Sequence, residues 1–551
     1  MRILLERNDI NPDTADTYGR TPLLWAAESG NEEIVRVLLE QNSVNPKTAD
    51  KDGQTPLSCA VEYEHEGVVR VLLEFNDTNH NTPNLYGQTP LSWAARNNHK
   101  GIVKILLGRN NVNPNTADTY GRTPLLWATA YGQEEIMRLL LERNDTNPNT
   151  PNLYGQTPLS RAVRNEDEGI VRILLERDDV NPNAADEDGR TPLSWAAESG
   201  SERVVRILLE RNDINPNTAD EDSRTPLSWA AESGSDGVVR TLLERNDVNP
   251  DTTDKFGRTL LWWAAQCGQE GVARILLERK VGPNTADYYG QTPISSATEY
   301  GQEGIVRILL ERNDVDLGAA DRYGRTPLSW AAQCGQGGIG RILLEQNDVN
   351  PNTVDEDGQT PLLEAAEYGH VEMVRILLER NDVNPNTADE DCRTPLSWAA
   401  EYGHEEIVGI LLERNDVNPN TDDKDGRTPL SWAAEYGDEE IVRMLLERND
   451  VNPNTADEDG RTPLSRAAEY GNEEMVGMLL ERTDVNPNTV DKYGQTPLSW
   501  ALQNGHERIA NLLRGRIDLV LRYPAISYPT ELLPTDPPEP SEPPFKRIRR
   551  S

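Results

Sequence analysis

The phrase RTPLSWAA at residues 190–197 recurs along the chain, with small changes, at a nearly constant spacing. Its threonine stands at positions 21, 55, 89, 123, 157, 191, 225, 259, 292, 326, 360, 394, 428, 462 and 496. The step is 34 residues, except for one step of 33 between Thr259 and Thr292. A fixed period of this length is typical of a repeat array, in which each repeat buries its apolar face against its neighbours. We therefore expect one long stack of repeats, each named here after its threonine.

Each repeat is predicted to contain two short helices and a loop, as the Thr191 repeat illustrates. Thr191 followed by Pro192 predicts a helix start, because threonine caps free backbone N–H groups and proline lacks one. Gly200 suits the left-handed residue that ends a short helix. The segment SERVVRILLER has apolar residues at helical spacing and predicts a second helix. The following NDINPNTADEDSR, rich in Asn, Pro and Asp, predicts a finger loop with a turn at its tip.

Two helices and a long finger, with the phrase TPLxxA, resemble the ankyrin repeat. The tetratricopeptide repeat shares the period but lacks such a finger. The resemblance covers a partial repeat at residues 1–16 and about fifteen repeats at 17–514. The sequence of the repeats is similar to that of long fungal ankyrin arrays. It implies an all-α repeat solenoid of helix-turn-helix units with β-hairpin-like finger loops in a curved stack. This chain departs from the family's usual TPLHLAA, since serine fills the histidine position in eleven copies and tryptophan mostly follows.

The two ends of the chain differ from the array. The first residues match a second helix and finger, so either this partial repeat caps the stack poorly or the chain is the downstream part of a longer protein. Residues 515–551 are Pro-rich and predicted to be largely disordered. Their basic cluster resembles a short nuclear import signal, formed by Lys546, Arg547, Arg549 and Arg550. With no signal peptide at the first residues, we expect a cytoplasmic protein, with nuclear entry as an alternative.

Composition and motifs argue against several classes of function. The formal net charge of −38 repels phosphate backbones, so we expect no nucleic-acid partner. No apolar run is long enough to suggest membrane insertion. The four cysteines show no CxxC spacing, and five of the six histidines occupy one position, one per repeat, while His80 lies in a finger. We therefore expect no metal and no cofactor. Phosphate-loop and nucleophile-elbow motifs are also absent from the sequence. We predict a monomeric, non-enzymatic protein that binds other proteins.

The fourth residue after the repeat threonine, called here the tryptophan position, combines a large aromatic with charged replacements. Tryptophan occurs there in ten copies, but Cys59, Arg161, Ser296, Glu364 and Arg466 replace it in the others. Because charged side chains are rarely buried, we expect this position to lie at the rim of the core with one edge in water. Two interpretations stay open: packing at the seams between helices, or an aromatic ladder in a binding groove that would include Trp330, Trp398 and Trp432.

Two other positions vary while their neighbours stay constant. The tyrosine position, eight residues after the threonine, is aromatic in a series of later copies: Tyr300, Tyr368, Tyr402, Tyr436 and Tyr470. The tip position, three residues before the threonine, is aromatic in eight copies and aspartate in seven. The resemblance implies that first helices and finger tips form the recognition surface. We expect Asp357, Asp391, Asp425 and Asp459 to form an acidic row that faces a partner with a basic, Lys/Arg-rich segment.

Simpler interpretations of these positions remain open. A solvated acidic edge would also keep a long array soluble. Near-identical blocks, such as ADTYGRTPLLWA at residues 15 and 117, indicate duplication, so variation also records ancestry. Of the possible functions, a protein-binding scaffold or adaptor is favoured. The alternatives are the sensor arm of a larger signalling protein, with an NTPase or effector domain upstream, and a substrate adaptor of a ubiquitin ligase.

Overall fold

A computed structural model of the chain describes residues 11–41, 43–75 and 79–522. Those residues form thirty α-helices in consecutive pairs, one pair for each repeat threonine. Contacts divide the chain between Gly282 and Pro283 into two compact units, called here the N-terminal and C-terminal units. The predicted all-helical repeat fold is thus confirmed.

The N-terminal unit contains eight helix pairs among its described residues. Its helices are α1 (Pro22–Glu28), α2 (Glu32–Leu39), α3 (Pro56–Glu62), α4 (Glu66–Glu74), α5 (Pro90–Arg96), α6 (Lys100–Leu107), α7 (Pro124–Ala130), α8 (Glu134–Leu141), α9 (Pro158–Arg164), α10 (Glu168–Leu175), α11 (Pro192–Glu198), α12 (Glu202–Leu209), α13 (Pro226–Ser233), α14 (Asp236–Leu243), α15 (Leu260–Gln266) and α16 (Glu270–Glu278).

The C-terminal unit contains seven helix pairs among its described residues. They are α17 (Pro293–Glu299), α18 (Glu303–Leu310), α19 (Pro327–Gln333), α20 (Gly337–Leu344), α21 (Pro361–Glu367), α22 (Val371–Leu378), α23 (Pro395–Tyr402), α24 (Glu405–Leu412), α25 (Pro429–Tyr436), α26 (Glu439–Glu447), α27 (Pro463–Tyr470), α28 (Glu473–Glu481), α29 (Pro497–Gln503) and α30 (Glu507–Arg522). The last helix continues past residue 514, the expected end of the array.

The first helix of each pair begins as the sequence predicts. In the Thr191 repeat, Thr191 Oγ1 accepts the backbone N–H of Ser194 at 3.2 Å and lies 3.1 Å from the serine hydroxyl. This contact explains the serine at the family's histidine position: it is buried, and its hydroxyl is satisfied by the capping threonine. Leu193, Ala196 and Ala197 are buried on the same helix.

Helices of the same kind pack against each other in neighbouring repeats. Within the N-terminal unit, α11 packs on α13 and α12 packs on α14. The second helices contribute the expected apolar stripe, which in α12 consists of Val204, Val205, Ile207 and Leu208. Gly200, at φ +70°, makes the left-handed turn between α11 and α12. The core of each unit is therefore shared between repeats, as a solenoid requires.

The finger loops close as turns. In the Thr191 repeat, the backbone N–H of Asp186 donates to the carbonyl of Arg190 at 3.1 Å, and Gly189 donates to Asp186 at 3.0 Å. No β-strand occurs in the described part of the chain, where a single isolated bridge joins Thr253 to Thr259. The hairpin-like fingers are therefore held by turn hydrogen bonds and by contacts to the next finger.

Side chains of the motif RND…NPN link each finger to the neighbouring repeats. Arg211 binds Asp213 through Nε and Nη2 at 2.9 and 2.6 Å, while its Nη1 donates to the carbonyl of Arg177 at 3.0 Å. The side chain of Asn183 donates to the carbonyl of Asp213 at 2.7 Å and accepts the N–H of Asn215 at 2.8 Å. Sequence reasoning treated these residues only as turn formers. They are instead the polar connection between repeats.

This asparagine ladder is interrupted within the C-terminal unit. Asn284 accepts the backbone N–H of Asp316 at 2.9 Å, and Asn352 accepts that of Asn384 at 3.1 Å. Between them, Gly318 occupies the ladder position and has no side chain to continue it. Its backbone N–H still donates to Asp316 Oδ1 at 3.0 Å, so the local turn is kept. What Gly318 lacks is therefore the side-chain hydrogen bonding that links one finger to the following finger.

Candidate functional site

An aspartate five residues before the repeat threonine organises each finger tip and is called here the hub aspartate. In the Thr191 repeat, Oδ1 of Asp186 accepts the backbone N–H of Asp188 at 3.2 Å and of Arg190 at 2.9 Å. Asparagine replaces the hub aspartate at Asn84 and Asn152, where the amide oxygen accepts the equivalent pair of N–H groups. In the aspartate copies the second oxygen, Oδ2, is left to bind a side chain.

When the tip residue is aspartate and arginine precedes the threonine, the hub aspartate accepts from the tryptophan position. Trp195 Nε1 donates to Asp186 Oδ2 at 2.9 Å, while Arg190 pairs with Glu198 at 3.0 Å. We call this the acidic-tip arrangement. It also holds in the Thr225, Thr394 and Thr428 repeats, and in the Thr462 repeat with arginine in place of tryptophan.

When the tip residue is aromatic, the same arginine takes over the hub oxygen. Arg122 Nε donates to Asp118 Oδ2 at 2.9 Å, and its guanidinium lies 4.6 Å from the Tyr120 ring and 4.0 Å from the Trp127 ring. Among the described residues, Trp127 Nε1 then has no hydrogen-bond partner. We call this the aromatic-tip arrangement, and it recurs around Arg258 and Arg325. The tip residue thus selects between the two arrangements, because an aromatic ring gives arginine a face to stack on.

The expectation that the tryptophan position lies at a rim with one edge in water is wrong for two of its three charged copies, while the third, Arg161, is half-buried. Glu364 is 2% exposed and Arg466 is 5% exposed. Arg466 tolerates burial because it replaces the indole as donor: its Nε lies 3.0 Å from Oδ2 of the hub aspartate Asp457, and its Nη1 lies 3.8 Å from Glu435. Trp330, Trp398 and Trp432 are buried as well. In the acidic-tip repeats the position therefore supplies a hydrogen-bond donor to the hub oxygen, whereas in the aromatic-tip repeats, such as that of Trp330, the indole packs without this bond. Packing is the interpretation that the structure favours.

Glu364 fills the tryptophan position in a repeat whose hub aspartate is Asp355. Burial, together with the charge of Asp355, raises the pKa of Glu364 well above its usual value. We infer that the carboxyl group is held as the neutral acid. The neutral form explains how a carboxylic acid fits where tryptophan normally stands, because burying an ionised carboxylate without a cationic partner would cost far more free energy.

The predicted tyrosines form an exposed series on the first helices of the C-terminal unit. Tyr300, Tyr368, Tyr402, Tyr436 and Tyr470 are each 50–54% exposed. The Tyr402 ring stacks on Trp398 at 5.7 Å and 6°, and Tyr436 stacks on Trp432 at 6.0 Å and 9°. In two of the five copies, a buried tryptophan thus stacks against the tyrosine ring and holds it in place. A rigid, half-exposed phenol ring is well suited to contact a partner, because little side-chain entropy is lost on binding.

The predicted acidic row occurs in the same repeats as four of these tyrosines, and it is partly neutralised. Asp357, Asp391 and Asp425 are exposed, and Asp459 is half-buried. Lys424 Nζ lies 3.4 Å from Asp391, so one tip carboxylate already has a cationic neighbour. Backbone hydrogen bonds connect the tips in sequence, as when Glu458 N–H donates to the Asp425 carbonyl at 2.8 Å.

Tyrosine and acidic tip coincide in four successive repeats, Thr360, Thr394, Thr428 and Thr462. We call the eight side chains concerned the tyrosine–aspartate surface: Tyr368, Tyr402, Tyr436, Tyr470, Asp357, Asp391, Asp425 and Asp459. A glutamate precedes each tyrosine, and it is engaged by the residue before the threonine, as Glu401 is by Arg393 at 3.0 Å. Burial raises the pKa of Glu367, Glu401 and Glu469. The tips therefore carry the carboxylates that are open to a partner.

Other kinds of site receive no support from the described part of the chain. No group of three or more His, Cys, Asp or Glu side chains there is arranged to hold a metal ion. None of its helices combines the length and the apolar character needed to cross a membrane. The possible import signal at Lys546, Arg547, Arg549 and Arg550 lies outside the described residues, as do residues 1–10 of the partial repeat and residues 523–551 of the tail.

The fold and the surface define a class of protein: an array of helix-turn-helix repeats in which a constant frame presents variable residues at the finger tips and first helices. A family model of ankyrin repeats, three copies long, matches overlapping segments of the chain at residues 1–84, 42–118, 74–152, 91–186, 159–254, 227–321, 280–355, 313–389, 341–423, 381–457 and 449–522. The chain belongs to the ankyrin repeat family. No curated protein matches it. Ankyrin repeats are protein–protein interaction modules, which gives the general class of function.

Proposed function

We propose that the chain is a non-enzymatic scaffold or adaptor that binds a Lys- and Arg-rich protein segment at the tyrosine–aspartate surface. The observation that carries the proposal is the coincidence of an acidic tip and a half-exposed tyrosine in four successive repeats. The Thr55 repeat also combines an acidic tip, Asp52, with a tyrosine, Tyr63, but neither neighbouring repeat has an acidic tip. The Thr191 and Thr225 repeats have the acidic tips Asp188 and Asp222 without the tyrosine, since their tyrosine positions are Ser199 and Ser233.

The chemistry of the surface suits cations with long apolar stems. Lysine and arginine side chains stack on tyrosine faces and place their charge near the tip carboxylates. The glutamates of the first helices add little to this attraction, because Arg393, Arg427 and Arg461 already pair with Glu401, Glu435 and Glu469. Exposed carboxylates mainly steer association and make it depend on salt, whereas the tyrosines supply contact area.

The test uses a random peptide library displayed on phage. The library is panned on the wild-type chain and counter-selected on the quadruple variant Asp357→Lys, Asp391→Lys, Asp425→Lys, Asp459→Lys. We expect enrichment of Lys- and Arg-rich sequences. A labelled consensus peptide should bind the quadruple variant at least about tenfold more weakly by fluorescence anisotropy, a change of about 1.4 kcal/mol.

The matched control is Asp188→Lys with Asp222→Lys, which reverses two tips that have the same local arrangement but no tyrosine neighbour. This double variant should bind the consensus peptide with unchanged affinity. The proposal fails if the selected peptides are not basic, or if the quadruple variant binds them as well as the wild-type chain does.

A further inference from the structure

A pocket of opposite charge lies in the N-terminal unit. It has a volume of about 660 Å³ and opens between the first helices and finger tips around the Thr123 and Thr157 repeats. Four arginines line it: Arg96, Arg122, Arg161 and Arg164. None of the twelve lining residues carries a carboxylate. In a chain with a formal net charge of −38, this is a local reversal of charge.

Substitutions at three repeat positions produce the reversal. Arg164 stands seven residues after its repeat threonine, where other repeats have Glu198 and Glu401, and Arg96 holds this position two repeats earlier. Asn152 replaces the hub aspartate of the Thr157 repeat, and Arg161 replaces tryptophan. The pocket has thus gained bases and lost acids at positions where other repeats hold paired charges.

Arg161 and Arg466 occupy the same repeat position, and their surroundings differ in one decisive respect. Arg466 meets the hub aspartate Asp457 and is buried, whereas the hub residue facing Arg161 is the neutral Asn152. The buried Nε of Arg161 has no hydrogen-bond partner among the described residues. Ion pairs are likewise absent within the described part of the chain for Arg96, Arg161 and Arg164, while Arg122 binds Asp118 through Nε. Three guanidinium groups are therefore available to an incoming anion.

Aromatic rings hold two of these guanidinium groups in place. Arg164 lies 4.0 Å from the Trp195 ring, and Arg96 lies 4.8 Å from the Trp127 ring. A stacked guanidinium keeps its N–H donors free at the edge, where they match the two oxygens of a carboxylate or phosphate. The exposed tip residues Tyr120 and Tyr154 flank the opening.

We propose that this pocket binds an acidic protein segment through closely spaced carboxylates or a phosphorylated side chain. Both groups are oxyanions that arginine clusters recognise with paired hydrogen bonds. A nucleic acid also offers oxyanions, but a long phosphate backbone would meet the acidic surface around the pocket, so a peptide is favoured. The chain then carries two binding sites: one in the C-terminal unit for basic segments and one in the N-terminal unit for acidic segments. The second proposal does not depend on the tyrosine–aspartate surface.

The experiment measures binding of labelled probes to the full chain by fluorescence anisotropy. The probes are a hexaglutamate peptide, a phosphoserine peptide with its unphosphorylated counterpart, a hexalysine peptide and a single-stranded oligonucleotide. We expect the hexaglutamate or the phosphoserine peptide to bind. The double variant Arg161→Gln, Arg164→Gln should weaken that binding at least about tenfold. The control Arg203→Gln, Arg240→Gln removes two exposed arginines from second helices of the same unit and should leave it unchanged.

Asn152→Asp is the sharper variant, because it should not harm folding. It supplies Arg161 with the hub carboxylate that Arg466 has in Asp457, so we expect equal or higher thermal stability and weaker binding of the acidic probe. The proposal is overturned if neither acidic peptide binds, if only the oligonucleotide binds, or if Arg161→Gln, Arg164→Gln and Asn152→Asp leave the affinity unchanged. These outcomes leave the proposed binding of basic segments in the C-terminal unit untouched.

Discussion

Trp398 Nε1 donates a hydrogen bond of 2.8 Å to Oδ2 of Asp389, the hub aspartate nine residues before it. The other oxygen of Asp389 accepts the backbone N–H groups of Asp391 and Arg393 at 2.9 and 2.8 Å. One carboxylate therefore fixes the finger tip and the first helix together. Because Trp398 also stacks under Tyr402, this bond helps to hold a tyrosine of the proposed binding surface.

Asp389→Ala should destabilise its repeat by about 2 to 3 kcal/mol, because it removes three hydrogen bonds and leaves the indole N–H buried without a partner. Asp389→Asn is the matched control. Its amide oxygen keeps the two backbone bonds, as in the natural copies Asn84 and Asn152, so it should cost only about 1 kcal/mol. Hydrogen exchange of residues 389–402 measures both effects. Equal losses of protection in the two variants would contradict this account of the hub.

Arg466 depends on its hub aspartate more than tryptophan does. Asp457→Asn leaves a buried guanidinium without its carboxylate and should destabilise the Thr462 repeat by about 3 kcal/mol, more than Asp389→Asn costs the Thr394 repeat. Arg466→Trp restores the commoner donor and should be neutral or stabilising. The double variant Asp457→Asn, Arg466→Trp should recover most of the loss, since Asn84 and Trp93 occur together naturally in the Thr89 repeat. Urea unfolding monitored by circular dichroism compares the variants. Failure of the double variant to recover stability would reject the pairing.

Gly318→Asn should repair the interrupted ladder. By analogy with Asn352, whose side chain bonds Asp382 and Asn384, the new side chain would reach the carbonyl of Asp348 and the N–H of Asn350. Space is available, since a Cβ at Gly318 would meet only Asp316 Oδ1, at 3.6 Å. We expect a gain of about 1 to 2 kcal/mol from two exposed hydrogen bonds.

Gly318→Ala separates the ladder from the simple loss of glycine flexibility. It should add no more than about 1 kcal/mol, because it restricts the unfolded chain without making either bond. Differential scanning calorimetry of both variants tests the prediction. If alanine stabilises the chain as much as asparagine does, the ladder contributes nothing at this position.

Glu364→Gln should be more stable than the wild-type chain at neutral pH. The folded-state pKa of Glu364 is raised, so the protonated form favours folding below the unfolded-state value of about 4.3, and this contribution is lost as the pH rises. Glutamine is neutral at every pH. The melting temperature of the variant should therefore exceed that of the wild-type chain by an amount that grows as the pH rises above about 4.3.

The control for this titration is Glu356→Gln, which removes an exposed carboxylate from the finger of the same repeat. Its effect on the melting temperature should be small and nearly independent of pH. A constant difference between Glu364→Gln and the wild-type chain across the range would show that Glu364 is not held protonated.

The helix pairs could be predicted from the sequence because their signals are local. Thr191 caps Ser194 three residues on, and Pro192 and Gly200 mark the helix start and the following turn. Burial at the tryptophan position could not be predicted, because the partner of Trp195 or Arg466 lies in the preceding finger and only folding brings it close. For Arg466, the rule that charged residues avoid the interior failed because that finger supplies a carboxylate.

A signal for the hub was nevertheless present. Arginine precedes the repeat threonine in nine copies, and tryptophan follows in eight of these. All five copies that combine this arginine with an aspartate tip also have glutamate seven residues after the threonine. Because the arginine and the glutamate occur together in repeat after repeat, the sequence indicates that these two positions are in contact. The link between the tip residue and the arrangement needs the structure, because the sequence alone does not show that Asp118, two residues before Tyr120, accepts from arginine while Asp186, two residues before Asp188, accepts from tryptophan.

The finger contacts also bear on how such a gene can change. Arg211, Asn183 and their counterparts bond residues 30, 32, 34 or 36 positions away, in the adjacent repeat. Recombination that adds or removes a whole repeat returns each of these side chains to an equivalent partner, so the array can lengthen or shorten without losing its polar seams. An exchange out of phase by even one residue shifts every partner at the junction. Selection can thus reorder intact binding modules, acidic or basic, while the frame that carries them stays the same.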